Sequence, residues 1–247
     1  MDKRTILAAA IGLIVGATGG FLVANGLNRS ELTELRGKAA QNSNLSENGV
    51  RPHDDLTIGD DEIRSKIAQA DADPANFNYQ KDLGGALYRY ASMKNDSKLA
   101  AEALRILERA YSLDPKNYDV TVDLGNAYFD AGFAAKDRTR FEKAQELYEK
   151  ALLARPGDAD VRTDLGISYL LIQPPVYKTA IDEFQKVLNS NPGHERAQLF
   201  LTKAYIQMGN WPKADDSLAK LKALNPKNSG IDDLAAQIAA KQAEPIK

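Results

Sequence analysis

The tripeptide Asp-Leu-Gly occurs three times in this chain at one fixed interval. It stands at residues 82–84, 123–125 and 164–166, so its leucines are separated by two equal steps of 41 residues. A period of this size is typical of repeat architectures, in which each unit is one supersecondary element and stacked neighbours share a continuous core. The interval restricts the fold far more than the length of 247 residues does.

Other residues keep the same register. The prolines of the register are Pro74, Pro115, Pro156, Pro192 and Pro226, and a leucine stands nine residues after each of the first four, at Leu83, Leu124, Leu165 and Leu201. Each unit then carries an alanine with a large side chain four residues later, in the pairs Ala103–Leu107, Ala144–Tyr148, Ala180–Phe184 and Ala214–Leu218. No stretch alternates as a strand would. We therefore predict an all-α chain with two helices per unit, in units 77–117, 118–158, 159–194 and 195–228, and a capping helix at 229–241.

Local signals predict several helix ends. A helix should begin near residue 57, with Asp60 or Asp61 as its cap, and close before Pro74. Thr139 and Glu142 are spaced as a capping box for the second helix of the second unit. The proline intervals shorten from 41 to 36 and 34 residues, which we attribute to residues inserted between the two helices of the longer units.

These residues resemble the tetratricopeptide repeat (TPR) family over about residues 57–241. The pattern of the second unit is Leu124-Gly125 with Tyr128, then Ala144, Tyr148, Ala151 and Pro156. The tryptophan often found three residues before the leucine is absent, and no glycine follows Leu201. The resemblance implies an α-solenoid of about four helix pairs, which binds a protein or peptide ligand in a groove lined by the first helices.

Helical spacing from the repeat leucines predicts which side chains line that groove. The predicted residues are Lys81, Gly85, Tyr88, Val122, Asn126, Phe129, Thr163, Ile167, Leu170, Leu199, Lys203 and Ile206. Chaperone-binding members of the family hold a terminal carboxylate with paired lysines and asparagines. Here Gly85 and Asp123 stand where that clamp has asparagine and Asp164 where it has a cation, so an extended or helical segment with apolar anchors suits the wall better.

The amino-terminal residues predict a membrane anchor. Ile6 to Val23 are eighteen residues without a charge, long enough for a helix of about 27 Å against a hydrocarbon core of ~30 Å. A cleaved signal and a buried helix are the alternatives. Lys3 and Arg4 before the span favour a domain outside the cytoplasm, in a single-pass inner-membrane protein. Residues 28–56 then read as a short polar helix and a flexible tether.

Three glycines lie on one face of the predicted span. Gly12, Gly16 and Gly20 fall every four residues, a spacing that lets two membrane helices approach closely. The face would serve dimerisation or packing on a partner helix. Glycine is also simply common in membrane helices.

Signals for chemistry are missing from the sequence. The chain has no cysteine and two histidines, His53 and His194, and its net charge is −2. We therefore expect no thiol catalysis, cofactor or transition-metal site, and no broad basic surface for nucleic acid.

Four functions remain as hypotheses. The first is a membrane-anchored scaffold that holds a partner protein, similar to bacterial envelope assembly factors such as those of c-type cytochrome maturation or of the secretion translocon. The second is a self-associating structural protein acting through the glycine face and stacked repeat ends. A cytosolic receptor with reversed topology is the third. An enzyme is the fourth, and it lacks room for a catalytic domain.

Overall fold

The computed structural model describes residues 59–242, and its described part contains ten α-helices and no strand. The helices are α1 Asp60–Ala72, α2 Phe77–Lys94, α3 Ser97–Leu113, α4 Tyr118–Ala135, α5 Arg138–Ala154, α6 Ala159–Leu171, α7 Tyr177–Ser190, α8 Glu195–Gln207, α9 Trp211–Leu224 and α10 Gly230–Gln242. The predicted anchor, its glycine face, the polar helix and the tether lie outside the described residues.

The first helix belongs to a separate unit of the chain, which ends at Asn76. The expectation that Asp60 or Asp61 caps it is wrong, because Gly59 occupies the cap position and no side chain bonds to the cap. Asp60, Asp61 and Glu62 lie in the first turn instead. Carboxylates there complement the partial positive charge of the exposed backbone N–H groups.

Residues from Phe77 onward form the repeat unit. Its helix pairs are α2–α3, α4–α5, α6–α7 and α8–α9, and the two members of each pair pack directly on one another. Side chains cap many of these helices. The Asp137 carboxylate, for example, accepts from the backbone N–H groups of Thr139 and Arg140. The predicted capping box of Thr139 and Glu142 is therefore wrong, since Glu142 pairs with Arg138 instead.

The glycine of Asp-Leu-Gly is required where the two helices of a pair cross. A Cβ on Gly125 would lie 2.9 Å from the Tyr148 ring, and one on Gly166 would lie 2.5 Å from the Phe184 ring. Gly84 stands in the same way against Leu107, at 3.0 Å. The large side chain of the second helix thus fills the space that the missing Cβ leaves, and these side chains are among the most deeply buried of the core.

The longer repeats are longer because their helices are. First helices α2 and α4 have 18 residues each, while α6 and α8 have 13. Second helices α3 and α5 have 17 residues, against 14 in α7 and α9. The expected insertion between the helices is therefore wrong, since two residues alone separate α4 from α5.

The last helix closes the stack. Helix α10 packs on α8 and α9, and it buries Ile231, Leu234 and Ile238. Within residues 59–242, no helix combines the length and the apolar character that crossing a membrane requires.

Candidate binding groove

The first helices of the repeats line one face of the stack, here called the inner face. Helices α2, α4, α6, α8 and α10 each contact the next in this order, and within the described residues no comparable contact joins successive second helices. In a stack of helical repeats, the helices that contact each other in this way lie on the concave side. A ligand groove belongs on this face.

Most of the predicted groove residues are buried between neighbouring helices. The buried ones are Gly85, Tyr88, Phe129, Thr163, Ile167, Leu170, Leu199 and Ile206. Phe129 packs edge-on against Phe141 of α5. Helix packing therefore occupies most of the side chains that were predicted to line the groove. Lys81, Val122, Asn126 and Lys203 retain exposed surface, and the role of all twelve in binding stays a prediction.

A row of polar side chains, here called the acid row, follows the accessible part of the inner face. Its members are Asp123, Asn126 and Asp130 of α4 and Asp164 of α6. At its first end, a guanidinium nitrogen of Arg89 lies 3.6 Å from the Asp123 carboxylate. Burial raises the pKa of Asp123, and Arg89 opposes that rise. A Cβ on Gly85 would lie 2.8 Å from this carboxylate, so the glycine lets α2 and α4 approach with the ion pair between them.

Two buried tyrosines support the middle of the acid row from below. The Tyr88 hydroxyl donates to Asp130 at 2.8 Å, and the Tyr148 hydroxyl donates to the Asn126 side-chain oxygen at 2.8 Å. The second bond orients the Asn126 amide, so that its two N–H groups remain as donors. Tyr148 is a residue of α5 whose ring passes the missing Cβ of Gly125. The same glycine that allows the helix crossing thus positions a groove residue.

Asp130 carries the largest perturbation among the carboxyl groups of the row. Its pKa is raised from 3.8 to about 6, chiefly by burial; the hydrogen bond from Tyr88 opposes that rise, and the nearby Asp164 charge adds to it. Within the described residues no cation pairs with Asp130. The group therefore stands as a desolvated carboxylate without a counter-ion.

The acid row ends at the fourth repeat. Arg196 of α8 forms a hydrogen-bonded ion pair with Asp164. Burial raises the pKa of Asp164, while the Arg196 charge lowers it. The residue that corresponds to Asp123 and Asp164 in α8 is Phe200, whose ring lies 4.9 Å from the Lys203 ammonium. The inner face is therefore acidic over the middle repeats, with a guanidinium at each end.

The groove prediction from sequence included Asn126 but missed the three aspartates of the acid row, although a signal for them was present. Asp123, Asn126 and Asp130 are spaced i, i+3 and i+7, which places them on one helix face. We treated Asp123 and Asp164 as departures from another clamp. That the two tyrosines reach this face from beneath has no signal in the sequence.

A separate cleft lies between helices of the third and fourth repeats. It has a volume of about 690 Å³ and is bordered by α7, α8 and α9. Leu188, Leu201 and Leu224 contribute apolar surface, and Gln185, Lys213 and Lys220 contribute polar groups. The Gln185 amide donates to the Tyr205 hydroxyl at 2.9 Å across it.

The described part of the chain contains no group of side chains suited to bind a metal ion. No set of three histidine or carboxylate ligands comes together within residues 59–242. His194 instead caps α8, with its Nδ1 accepting from the Ala197 N–H.

Comparison with known proteins agrees with the repeat geometry. The family described as "Tetratricopeptide repeat" matches residues 177–238. A structure of MamA from AMB-1 aligns with a TM-score of 0.52 and 25% identity, covering 67% of this chain and 82% of that one. The chain thus contains tetratricopeptide repeats. Its fold is that of a protein-interaction scaffold.

Further matches concern parts of this TPR protein or its fold. Residues 60–170 match the family described as "Plant specific mitochondrial import receptor subunit TOM20". Another MamA crystal structure aligns with a TM-score of 0.54 and 22% identity, covering 76% of this chain and 88% of that one. Residues 41 to the end of MamA from Desulfovibrio magneticus RS-1 give 0.56 and 15%, covering 68% and 86%. The last two likenesses are of fold alone. No curated protein matches the chain significantly.

Proposed function

We propose that this TPR protein is a membrane-anchored adaptor that holds a basic segment of a partner protein on its acid row. The observation that carries the proposal is Asp130, a desolvated carboxylate on the inner face for which the described residues supply no cation. A lysine or arginine of a ligand would restore the attraction that burial in protein strengthens. The TPR scaffold supplies the rest of the surface.

The neighbours of Asp130 suit an extended polypeptide. The free N–H groups of Asn126 would donate to a backbone carbonyl of the ligand, and Asp164 would reinforce the attraction for its cation. Arg89 and Arg196, at the two ends, would repel a second cation and so set the register of the segment. The match of residues 60–170 to an import receptor family supports a role in recognising another protein.

Membrane attachment enters the proposal from the sequence. The uncharged stretch from Ile6 to Val23 would anchor the chain in the inner membrane, with the repeats on the far side. Residues 28–56 would then let the groove search the nearby volume, so that confinement raises its effective concentration. Assembly of envelope complexes, such as those of cytochrome c maturation or secretion, fits an adaptor of this kind.

Peptide binding tests the groove directly. An immobilised library of extended peptides, with lysine or arginine at one position or uncharged residues throughout, is probed with the full chain. We expect selection of the basic peptides, and about tenfold weaker binding by Asp130→Asn, since a charge-assisted hydrogen bond contributes ~1.5–3 kcal/mol. Asp182→Asn is the matched control, because it removes one carboxylate from an exposed position of α7.

Two results would contradict the proposal. One is selection of uncharged or acidic peptides, and the other is equal loss of binding in Asp130→Asn and Asp182→Asn. Protease accessibility in spheroplasts tests the topology separately, since digestion of the repeats from outside is expected there.

A further inference from the structure

The turns of the repeat unit form two edges that differ in charge. We name the AB edge after the turns from a first helix to a second, at residues 91–100, 132–141, 168–180 and 204–214. The BA edge holds the turns onward to the next first helix, at 110–121, 151–162, 187–198 and 221–233. Seven basic and two acidic side chains stand in the AB edge, against six basic and seven acidic in the BA edge.

Hydrogen bonds occupy the polar groups of the BA edge. Tyr118 donates to Asp158 of the next turn, His194 bonds back to Asp160 at 3.2 Å, and Asn225 donates back to Glu195 at 2.9 Å. Successive BA turns are thus joined by side chains. The polar side chains of the BA edge therefore hold successive repeats together.

The AB edge lacks such a ladder within the described residues. One bond joins two of its turns, from Arg138 to the Gln173 carbonyl at 3.2 Å. Its two acidic residues, Asp96 and Asp137, are the N-caps of α3 and α5 and accept hydrogen bonds from backbone N–H groups there. Lys98, Lys136 and Lys178 form no ion pair in the described part of the chain. Arg138 and Arg140 pair with Glu142 and Asp137, so the charge of the three lysines is what remains available to another surface.

Each AB turn also exposes a large apolar side chain. Met93 is 65% exposed, Phe133 41%, Val176 38% and Met208 53%. Trp211, the single tryptophan of the chain, begins α9 beside Met208 and is partly exposed. Apolar side chains interleaved with lysines, with a tryptophan among them, are the composition of segments that lie in the headgroup region of a bilayer.

The first two repeats extend further at the AB edge than the last two repeats do. All four first helices begin six residues before the repeat leucine. All four second helices end two residues before the proline of the following turn. The extra residues of α2 to α5 therefore all project at the AB edge. Three to five residues at ~1.5 Å each extend it by roughly 5–7 Å. Met93 and Phe133 stand on the projecting part, which follows residues 1–76 in the sequence.

We infer that the AB edge lies on an anionic lipid surface, with the turns of the first two repeats deepest. The positive charge, the apolar side chain in every turn and the tryptophan favour a bilayer over an acidic protein. This placement rests on the proposed membrane attachment, since the stretch from Ile6 to Val23 would bring the edge to the bilayer. It leaves the acid row of the inner face open to a partner.

Two fluorescent probes can measure the contact in the full chain. Trp211 reports by quenching from brominated acyl chains, and because the chain has no cysteine, a dye can be placed at one engineered site. Ala134→Cys lies next to Phe133 at the projecting AB edge, and Lys116→Cys is its counterpart at the BA edge. The protein is reconstituted into vesicles of phosphatidylcholine, with or without phosphatidylglycerol.

We expect a distinct pattern from these probes. With phosphatidylglycerol, the dye at residue 134 is shielded most, Trp211 is quenched less, and the dye at residue 116 stays in water. The triple variant Lys98→Glu, Lys136→Glu, Lys178→Glu should lose at least about threefold of the Trp211 quenching, because each basic residue near an anionic surface adds attraction. Lys116→Glu, Lys222→Glu, Lys227→Glu carries the same charge change on the BA edge and should keep it.

The outcomes separate the edge from the anchor. Vesicle flotation reports the anchor, whatever the edge does. A chain that floats with vesicles while both AB probes remain in water overturns the edge contact alone, and an acidic protein surface then becomes its occupant. A chain that does not float overturns both proposals. Equal loss of quenching in the two triple variants shows unspecific charge attraction and also overturns the edge assignment.

Discussion

The third and fourth repeats have helices of equal length but hold them together by different chemistry. Helices α6 and α8 have 13 residues, and α7 and α9 have 14. In the third repeat Gly166 lies against the Phe184 ring. In the fourth, Thr202 replaces the glycine and the smaller Leu218 replaces the ring. One crossing geometry thus tolerates two fillings, provided that their volumes compensate.

The polar groups beside the helix crossing also differ between the third and fourth repeats. In the third repeat Arg162 pairs with Glu183 at 2.9 Å, and Lys186 pairs with the same carboxylate. The corresponding residues of the fourth repeat are Gln198 and Ser217, where the amide donates to the Ser217 hydroxyl at 2.6 Å. The neutral pair is shorter, and the cleft of about 690 Å³ lies beside it. The repeat that lacks the glycine thus borders this cleft.

The largest expected effect comes from filling the close approach in the third repeat. Gly166→Ala places a methyl group 2.5 Å from Phe184. We expect a loss of about 2 kcal/mol in the free energy of unfolding, within the ~1–3 kcal/mol range of overpacking. Thermal unfolding should shift downward by roughly 2–4 °C per kcal/mol.

Controls for this substitution come from the chain itself. A Cβ on Gly157 would meet no atom within 4 Å, so Gly157→Ala should leave stability unchanged. Adding Phe184→Leu to Gly166→Ala imitates the fourth repeat and should recover part of the loss. If the double variant is less stable than the sum of the single ones, the volumes do not compensate and the comparison fails.

A smaller loss is expected from breaking the ion pair of the third repeat. Glu183→Ser leaves Arg162 without its carboxylate in a mostly buried place, where their side chains are 21% and 10% exposed. We expect a loss of about 1–2 kcal/mol, below the ~3–5 kcal/mol of a fully buried pair. Urea unfolding measures it.

The double variant Arg162→Gln, Glu183→Ser turns the third pair into that of the fourth repeat. It should recover most of the stability, because both partners are then neutral. A double variant as unstable as Glu183→Ser would show that the neutral pair needs other features of the fourth repeat.

The sequence predicts the fold more completely than it predicts the site. The interval of Leu83, Leu124 and Leu165 predicted the helix pairs, since a recurring glycine and a large partner specify one crossing. The positions of the extra residues were wrong, because periodicity alone does not say whether they lengthen a helix or a turn. Helix α4 is lengthened by residues, such as Phe133 and Ala134, that are compatible with helix.

The site was less predictable for a physical reason. Spacing places Ile167 and Tyr88 on the inner side of their helices, but it does not tell how closely the next helix approaches. Packing against neighbouring helices buries both. The pKa of Asp130 depends on that same approach, because burial by neighbouring helices is its principal cause.

A loss of about 1 kcal/mol is expected when the neutral pair of the fourth repeat loses its hydroxyl. Ser217→Ala removes an acceptor of Gln198 and the partner of the Thr202 hydroxyl at 2.8 Å. The Ser217 carbonyl still accepts from Gln198 at 2.9 Å, so the buried amide keeps one partner. The expected cost is that of a single hydrogen bond, ~1 kcal/mol, measured by urea unfolding. An unchanged midpoint would mean that the hydroxyl contributes nothing to this crossing.

The last expected effect depends on pH and concerns the acid row, which Phe200 interrupts in the fourth repeat. Burial raises the pKa of Asp130 from 3.8 to about 6, so the folded state favours the protonated carboxyl. Its stabilising contribution is complete below pH 3.8 and is lost as the pH rises through about 6. Asp130→Asn should therefore match the wild type near pH 4 and be more stable than the wild type at pH 8. Thermal unfolding across this range measures the difference, and Asp182→Asn should show no such dependence. A stabilisation by Asp130→Asn that is equal at both pH values would place its cause outside the ionisation of this carboxylate.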